Sequence, residues 1–391
     1  MSAPQGRPLA GAIVVTALAL AGALAPGRAA AQTTYIAFGD SITAGYHDDP
    51  ARARPGYPPR LEALLQQRGK SAVVVNAGLN GETTAEGVTR LSSVLASQPG
   101  NTLLLMEGTN DINEKVSIET TIFNLDRMAK KAEAVGMTVV HASVIPRLPS
   151  ANYDGDNQVT GRFAISVRDL AATAGRQLAD PFEVFFYYTP DVFANDYFGG
   201  DDKLHPNAAG YDVLARIFAD VVTGVDSVPP VPGAFSPANG ATQVGALTPI
   251  QLVLYDFGQG LDLQATKLVV NGAEVDTAIA GGGRKAQLLY TPTAPLVGVV
   301  TFAVHSRDLA TPPNVLTRDL ARFVIAGTRF LAGDINRDGR VDGLDLVALA
   351  LVFGTRLGDP RFSPAADLSG DGTIDGRDLA ILAANFGQSS F

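Results

Sequence analysis

Cysteine is absent from the 391-residue sequence, so no disulfide can hold any part of the chain together. A small domain in this chain must therefore be stabilised by hydrophobic packing or by a metal ion. An excess of positive charge is also absent, since the formal net charge is −9. Such a chain cannot neutralise the phosphates of a nucleic acid, which excludes nucleic acid as the expected partner.

Long apolar runs are scarce, and only the one near the N-terminus approaches the length that spans a membrane. It covers residues 9–24, follows Arg7, and leads to alanines at 29–31, a pattern typical of a signal-peptide cleavage site. We interpret residues 1–31 as a signal peptide, so the mature chain is expected to be secreted and free of the membrane. A retained membrane anchor is the alternative, although Pro26 and Gly27 interrupt the run.

The length of the chain and two changes of pattern predict three folded parts. Residues 32–226 alternate apolar strand-like and helix-like segments, which favours an α/β domain with a parallel sheet covered on both faces. A proline-rich linker opens residues 227–330, where short alternating segments and turn signals predict an all-β sandwich. Residues 331–391 contain an internal repeat, in which the loop starting at Asp334 recurs at Asp367.

A serine, a histidine and an aspartate in the first part have the spacing expected of a covalent catalyst. Ser41 follows the first predicted strand in a glycine-containing turn, and its hydroxyl needs a base to become a nucleophile. Of the four histidines, His205 lies just before the last helix with Asp202 three residues upstream. That carboxylate can orient the imidazole while its other nitrogen faces Ser41. His47 could line the cleft, whereas His141 lies in an apolar strand and is expected to be structural.

Acyl transfer also needs hydrogen-bond donors for the oxyanion of its tetrahedral intermediate. The candidates are the backbone N–H groups of Ser41 and Gly81 and the side-chain amide of Asn110. Gly78 competes with Gly81 for the second of these positions. All of them follow predicted strands, at the edge where ligands bind in open α/β sheets.

Taken together, four stretches resemble the sequence blocks of the SGNH (GDSL) hydrolase superfamily. Residues 39–41 resemble the nucleophile block and residues 80–83 the glycine block, while residues 108–111 and 202–207 resemble the asparagine and histidine blocks. The resemblance implies a three-layer α/β/α, flavodoxin-like fold with a parallel sheet of about five strands. It also implies an esterase that needs no cofactor for catalysis.

The middle part is similar to the immunoglobulin-like modules of secreted bacterial enzymes. The similarity depends on residues 256–260 and 290–292, which are features of low specificity. We expect an immunoglobulin-like β-sandwich here, with a ligand that the sequence does not reveal.

Each copy of the C-terminal repeat places oxygen-bearing side chains at positions 1, 3, 5, 9 and 12 of a loop and offers a backbone carbonyl at position 7. This is the EF-hand pattern of Ca²⁺ ligands, with glycine at position 6. The expected ligands are Asp334, Asn336, Asp338, Arg340, Asp342 and Asp345 in the first loop, and Asp367, Ser369, Asp371, Thr373, Asp375 and Asp378 in the second. The clustered carboxylates would repel each other without cations, so folding should depend on Ca²⁺.

Two departures from the EF-hand make this segment resemble a type I dockerin instead: position 12 is aspartate, and no entering helix precedes either loop. The resemblance implies a small α-helical module with two Ca²⁺ ions and a face that binds a cohesin-type partner. Positions 10 and 11 are Gly343-Leu344 in one copy and Gly376-Arg377 in the other, which does not favour a symmetric binding mode. A module that uses Ca²⁺ for stability alone, with no cohesin partner, is the alternative.

These features predict a secreted serine esterase that forms an acyl-enzyme, with short-chain esters, acetyl esters of polysaccharides above all, as favoured substrates. Substrate identity cannot be inferred from a fold, so three alternatives stay open. They are a lipase or phospholipid esterase, an acyltransferase, and a calcium-dependent binding protein with residual hydrolysis.

Overall fold

A computed structural model describes residues 1–2, 32–148, 154–188, 196–199, 203–326 and 331–389 of the chain. Most of the predicted signal peptide lies outside the described residues, and so does Asp202. Within the described ranges, no helix is both long and apolar enough to cross a bilayer.

The first part of the chain is built on a parallel sheet of five strands in the order β2-β1-β3-β4-β5. Its strands are β1 Thr33–Gly39, β2 Ala72–Gly78, β3 Thr102–Met106, β4 Thr138–Ala142 and β5 Gln177–Ala179. Its helices are α1 Ser41–Ala44, α2 Tyr57–Gln67, α3 Thr84–Ser97, α4 Thr109–Asn113, α5 Ile118–Ala134, α6 Asp154–Ala174, α7 Pro181–Phe186 and α8 Ala208–Thr223. This architecture confirms the predicted α/β class.

Both faces of the parallel sheet are buried, which explains why its strands are continuously apolar. On one face the sheet packs against α2 and α8, where Tyr57, Leu61 and Phe218 are fully buried. On the other face it packs against α3, α5 and α6, with Leu91 and Met128 in the core. The result is the expected three-layer α/β/α arrangement.

Side-chain caps set the starts of the longer helices. Thr83 and Glu86 form a capping box at the start of α3. The hydroxyl of Ser117 accepts a hydrogen bond from the backbone N–H of Thr120 at the start of α5, and Asn207 caps α8 in the same way. Each cap pairs backbone N–H groups at the start of its helix and so fixes where the helix begins.

The middle part consists of two antiparallel four-stranded sheets, in the orders β10-β11-β7-β6 and β13-β12-β8-β9. The strands are β6 Val231–Ser236, β7 Ile250–Tyr255, β8 Lys267–Val270, β9 Ala273–Val275, β10 Ala278–Gly282, β11 Lys285–Tyr290, β12 Val299–Arg307 and β13 Val315–Val324. Alternate residues of both sheets meet in one core that contains Leu252, Leu288 and Phe302. The all-β arrangement agrees with the prediction, whereas the immunoglobulin-like resemblance stays a prediction.

The C-terminal part contains two short helices, α9 Gly343–Val352 and α10 Gly376–Asn385, each following one copy of the repeat. Both start three residues before the apolar segments that the sequence pattern indicates, because Asp342 and Asp375 cap them. The buried core of this part is small, with Val341, Ile374 and Leu382 among its members. Such a core provides little hydrophobic stabilisation by itself.

A buried ion pair fixes the loop that follows α1. The guanidinium of Arg60 on α2 donates two hydrogen bonds to the carboxylate of Asp48, at 2.6 and 2.8 Å, and a third to Asp212 on α8. The side chains of Arg60 and Asp48 are 4% and 1% exposed. Burial raises the pKa of Asp48, but the hydrogen bonds from Arg60 and from two backbone N–H groups, together with the charge of Arg60, outweigh that effect and lower it. The pair therefore anchors this loop to both helices.

We predict that Arg60→Met lowers the free energy of unfolding by about 3–5 kcal/mol, because Asp48 would keep a buried charge without its partner. Arg54→Met is the matched control, since the side chain of Arg54 is 57% exposed and its pair with Glu62 should be worth at most about 1 kcal/mol. Chemical denaturation of both variants measures the difference. Equal losses in the two variants would contradict the prediction.

Candidate active site

Ser41 lies at the junction of β1 and α1, where the chain turns at the edge of the sheet. The carboxylate of Asp40 caps α1 by accepting a hydrogen bond from the backbone N–H of Ile42 at 2.9 Å. Ser41 is the first residue of the helix, and among the described residues its own N–H has no acceptor. That N–H is one of the unpaired donors that every helix N-terminus presents. It is available to an oxyanion formed on a substrate at Ser41.

His205 lies against the serine, as the sequence predicted. Its Nε2 is 2.7 Å from the Oγ of Ser41, and both residues are buried at 8% and 7% exposure. In the neutral tautomer with the proton on Nδ1, Nε2 accepts the hydrogen bond from the serine hydroxyl. The Nδ1–H is then the group that a carboxylate would orient. The expected partner, Asp202, lies outside the described residues.

Two aromatic rings flank the imidazole of His205. The ring of His47 stacks on it with centroids 5.6 Å apart, and the ring of Tyr46 meets it edge-on at 4.8 Å. The hydroxyl of Tyr211 on α8 donates to the backbone carbonyl of Tyr46 at 2.7 Å and holds this segment in place. His47 therefore lies at the site, as the sequence suggested, and packs against the base.

The other two histidines lie elsewhere in the fold. His141 is fully buried in β4, where burial, followed by the charge of Arg176, lowers its pKa to about 4. A neutral His141 fits the structural interpretation of this residue. His305 lies in β12, with Nδ1 3.9 Å from a carboxylate oxygen of Glu274.

The two candidate glycines in the second loop occupy different environments. The N–H of Gly78 already donates to the side chain of Asn76 at 3.0 Å, and a Cβ at Gly78 would lie 2.2 Å from the backbone nitrogen of Ala44. Gly81 has a φ of 79° with open space around it, and its N–H has no acceptor among the described residues. The geometry therefore favours Gly81 as the oxyanion donor and gives Gly78 a packing role.

Asn110 lies in α4, just after β3. Its side-chain amide donates to the backbone carbonyl of Glu82 at 2.8 Å, which ties the third loop to the second. An amide nitrogen has two hydrogens, so the second one can be donated to an oxyanion. The bond to Glu82 fixes the orientation of that second hydrogen.

Three buried carboxyl groups beneath the site were not singled out by the sequence. Asp40, Glu82 and Glu107 are at most 2% exposed, and Glu82 forms a short ion pair with Arg90. Burial, followed by hydrogen bonding with Glu82, raises the pKa of Glu107 well above its usual range. Burial also raises the pKa of Asp40. Only the position of Glu107 at the end of a buried strand could have drawn attention to it.

The two loops of the C-terminal part have geometry that suits a hard cation. In the first loop, Asp334 accepts hydrogen bonds from the backbone N–H groups of Asp338 and Gly339, and Asp345 accepts from Asn336. Gly339 adopts the sharp turn that position 6 requires, with a φ of 85°. Burial raises the pKa of Asp334, and the charges of the neighbouring Asp345 and Asp338 add to that effect.

The second loop repeats this arrangement with Asp367 and Asp378 in the corresponding places. Asp367 accepts from the N–H of Gly372 at 2.9 Å, and the fully buried Asp378 accepts from Ser369 at 2.9 Å. The residues at both loops thus fit Ca²⁺, which prefers several carboxylate and carbonyl oxygens.

Two family models match separate parts of the chain. Residues 37–213 match the GDSL-like Lipase/Acylhydrolase family, and residues 332–386 match the Dockerin type I domain. The first range contains Ser41 and His205, and the second contains both loops of the repeat.

Curated relatives align with the first part of the chain. The arylesterase of Vibrio mimicus is 30% identical over 184 residues, which is 47% of this chain and 85% of the relative. The thioesterase 1/protease 1/lysophospholipase L1 of Escherichia coli K12 is 28% identical over 191 residues, covering 48% of this chain and 82% of the relative. Among solved structures, Axe2, an acetylxylan esterase from Geobacillus stearothermophilus, is similar with a TM-score of 0.41 and 21% identity, covering 49% of this chain and 94% of its own.

We predict that Asn110→Ala lowers kcat for p-nitrophenyl acetate by a factor of about 10²–10³, with a small change in KM, because an oxyanion donor acts mainly in the transition state. Asn80→Ala is the control, since Asn80 has the same side chain in the neighbouring loop and is exposed. Steady-state kinetics of both variants provide the measurement. An equal loss of kcat in Asn80→Ala, or none in Asn110→Ala, would contradict this role.

Proposed function

The chain belongs to the GDSL-like lipase/acylhydrolase family and is a carboxylic ester hydrolase with a C-terminal type I dockerin domain; from this premise we propose that it is an exported serine esterase that removes short acyl groups, acetyl above all, from polysaccharides. One observation supports the serine mechanism most strongly. It is the 2.7 Å contact between Nε2 of His205 and Oγ of Ser41 in a buried setting.

The first half of the reaction forms an ester on the serine. His205 accepts the hydroxyl proton at Nε2 while Oγ of Ser41 attacks the carbonyl carbon of the substrate. The negative charge that develops on the carbonyl oxygen is stabilised by the N–H groups of Ser41 and Gly81 and by the amide of Asn110. His205 then donates the proton to the departing alcohol, which leaves the acyl group on Ser41.

The second half releases the acid. Water enters where the alcohol was bound and gives its proton to Nε2 of His205 as it attacks the acyl-enzyme. The same donors stabilise the second oxyanion, and the proton returns to Oγ of Ser41. We assign Asp202 the task of holding the Nδ1–H of His205, on the basis of its position three residues upstream.

The substrate assignment is supported by the module that accompanies the hydrolase domain. A type I dockerin attaches an enzyme to a cohesin-type partner within assemblies that degrade polysaccharides, and acetyl esters are common decorations of such polymers. The predicted signal peptide in residues 1–31 would bring the enzyme to that location. We therefore propose extracellular, acetylated polysaccharide as the substrate and a cohesin as the partner.

A longer acyl chain is the second candidate substrate. Leu79 and Tyr46 are both 48% exposed, and they border the loops that hold Gly81 and His205. Exposed apolar side chains beside a nucleophile would suit an acyl chain, as in a lipase or a phospholipid esterase.

The calcium assignment follows from the two loops of the C-terminal repeat. We propose that the carboxylates that start and close each loop, Asp334 with Asp345 and Asp367 with Asp378, hold one Ca²⁺ each together with the other predicted ligands of that loop. The ions would neutralise the clustered charge and stabilise a module with a small core.

We predict that Ser41→Ala lowers kcat for p-nitrophenyl acetate by a factor of about 10⁴ or more, because no other group would take over nucleophilic attack. EDTA should leave the activity of the parent protein nearly unchanged. Ser166→Ala, at a partly exposed position of α6, is the matched control and should retain full activity. Full activity in Ser41→Ala would refute the serine mechanism.

The length of the acyl chain that the enzyme prefers distinguishes the two substrate classes. Turnover of p-nitrophenyl esters from acetate to palmitate, measured with the same preparation, should fall with acyl length. A rise with length would favour the lipase, and transfer to an added alcohol at the expense of hydrolysis would favour an acyltransferase.

We predict that the paired substitution Asp345→Asn and Asp378→Asn abolishes the Ca²⁺-dependent part of the folding of the C-terminal module in the full chain. Calorimetry with and without EDTA provides the measurement, while ester hydrolysis should be unaffected. Asp359→Asn, outside both loops in the same module, is the control. An unchanged response to Ca²⁺ in the paired variant would contradict the assignment.

A further inference from the structure

Three aspartates converge where the hydrolase domain meets the β-sandwich. Asp226 lies in the connection between α8 and β6, Asp256 follows β7, and Asp308 follows β12. One carboxylate oxygen from each lies within 4.8 Å of the other two. Asp256 and Asp308 are 0% and 1% exposed, and Asp226 is partly exposed. Buried carboxylates are normally paired with a cation or bound to a metal.

Among the described residues, none of the three carboxylates forms an ion pair with a basic side chain. The charge of nearby Arg284 only partly offsets the burial that raises the pKa of Asp226, and its guanidinium donates to the backbone carbonyl of Phe257. The Oδ1 atom of Asp256 is buried and accepts no hydrogen bond from the residues that the structure describes. Burial, together with the charges of the other two aspartates, raises the pKa of Asp256 to about 6. A fully buried carboxylate oxygen without a hydrogen-bond partner is rare in proteins, and a bound cation would satisfy it.

Backbone N–H groups hold the three carboxylates in fixed orientations. The Oδ2 of Asp256 accepts from Gly258 and Gly260, at 3.0 and 2.6 Å, which leaves Oδ1 free for an ion. The Oδ1 of Asp308 accepts from the N–H of Asn314 at 2.8 Å. Outer hydrogen bonds of this kind orient the ligands of a metal and are typical of a preformed site.

The connection between α8 and β6 approaches the sandwich so closely that residue 258 has to be a glycine. A Cβ at Gly258 would lie 1.8 Å from the Oδ2 of Asp226, so a side chain cannot be accommodated there. The same Oδ2 accepts from the N–H of Gln259 at 2.7 Å. The chain is thus shaped to bring Asp226 into contact with the loop that carries Asp256.

We propose that Asp226, Asp256 and Asp308 bind a calcium ion that fastens the hydrolase domain to the β-sandwich. Three hard oxygen ligands favour Ca²⁺ or Mg²⁺ over softer metals. Oxygens bound to Ca²⁺ at 2.3–2.6 Å lie up to about 5 Å apart, which accommodates the observed spacing, whereas Mg²⁺ requires a tighter octahedron. Since β7 and β12 belong to different sheets, the ion would join both sheets to the connection.

The proposal is tested by measuring how many equivalents of calcium the full chain contains. After removal of metal and dialysis against Ca²⁺, Asp256→Asn should contain one equivalent less than the parent protein by atomic emission. Asp262→Asn is the matched control in the same module, because its carboxylate pairs with Arg307 outside the cluster, and it should contain as much as the parent. Equal calcium in Asp256→Asn and the parent would overturn the proposal.

Thermal unfolding shows whether Asp256→Asn is folded, so that a loss of calcium is not attributed to misfolding. In EDTA, Asp256→Asn should be at least as stable as the parent, because it removes a buried charge that has no partner. Added Ca²⁺ should raise the unfolding temperature of the sandwich in the parent protein and in the paired dockerin variant (Asp345→Asn with Asp378→Asn). It should not raise that temperature in Asp256→Asn. An equal increase of the unfolding temperature with Mg²⁺ would contradict a calcium site here. So would an increase with Ca²⁺ in Asp256→Asn.

Terbium gives a readout that is specific for the cluster. Tyr255 precedes Asp256 and its ring lies 4.2 Å from that of Tyr187, whereas residues 331–391 contain no tyrosine and the chain contains no tryptophan. Tyrosine-sensitised Tb³⁺ emission should therefore persist in the paired dockerin variant. Added Ca²⁺ should reduce this emission by displacing Tb³⁺. Its loss in Asp256→Asn with retention in Asp262→Asn is the expected result, and the opposite pattern would overturn the site. Ester hydrolysis, measured alongside, tests the serine mechanism separately.

Discussion

The close approach of three strand ends is the constraint on which the catalytic arrangement depends. Gly39 pairs with Gly78 on one side and with Met106 on the other, so the turn that carries Ser41 lies level with both neighbouring loops. A Cβ at Gly39 would lie 2.0 Å from the carbonyl oxygen of Met106. Glycine here is required by packing, and it is this packing that brings the loops of Gly81 and Asn110 to the serine.

The carboxyl groups of Asp40, Glu82 and Glu107 are buried beneath this arrangement, where a charge loses its hydration. Glu82 is compensated by Arg90, whose guanidinium also lies 4.0 Å above the ring of Phe38. Glu107 forms no ion pair among the described residues, and burial, followed by hydrogen bonding with Glu82, raises its pKa well above the usual range. The ion pair holds the side chain of Glu82 and the amide of Asn110 holds its carbonyl. Two loops of the site are therefore fixed by polar contacts that the apolar pattern of the sequence does not reveal.

The sequence was informative where function depends on strand ends and uninformative where distant segments meet. Ser41, His205 and Asn110 could be located because each follows or precedes an element with a clear period, and parallel strands end at one edge. Short elements such as β5 and α4 contain too few residues to show any period. The cluster around Asp256 could not be predicted, because each of its aspartates resembles an ordinary turn residue in the sequence.

The parts of the chain differ in how they can be held together without disulfides. The hydrolase domain has a core on each face of its sheet, and the sandwich has a third, whereas the C-terminal module has the small core around Val341 and Leu382. Hydrophobic burial grows with size, so packing contributes least in the smallest module. Carboxylates converge in that module, and a further group of them lies at the junction of the hydrolase domain with the sandwich. Extracellular modules bind Ca²⁺ with dissociation constants of about 10⁻⁴–10⁻³ M, so the proposed calcium sites would stabilise the chain fully only at about millimolar Ca²⁺.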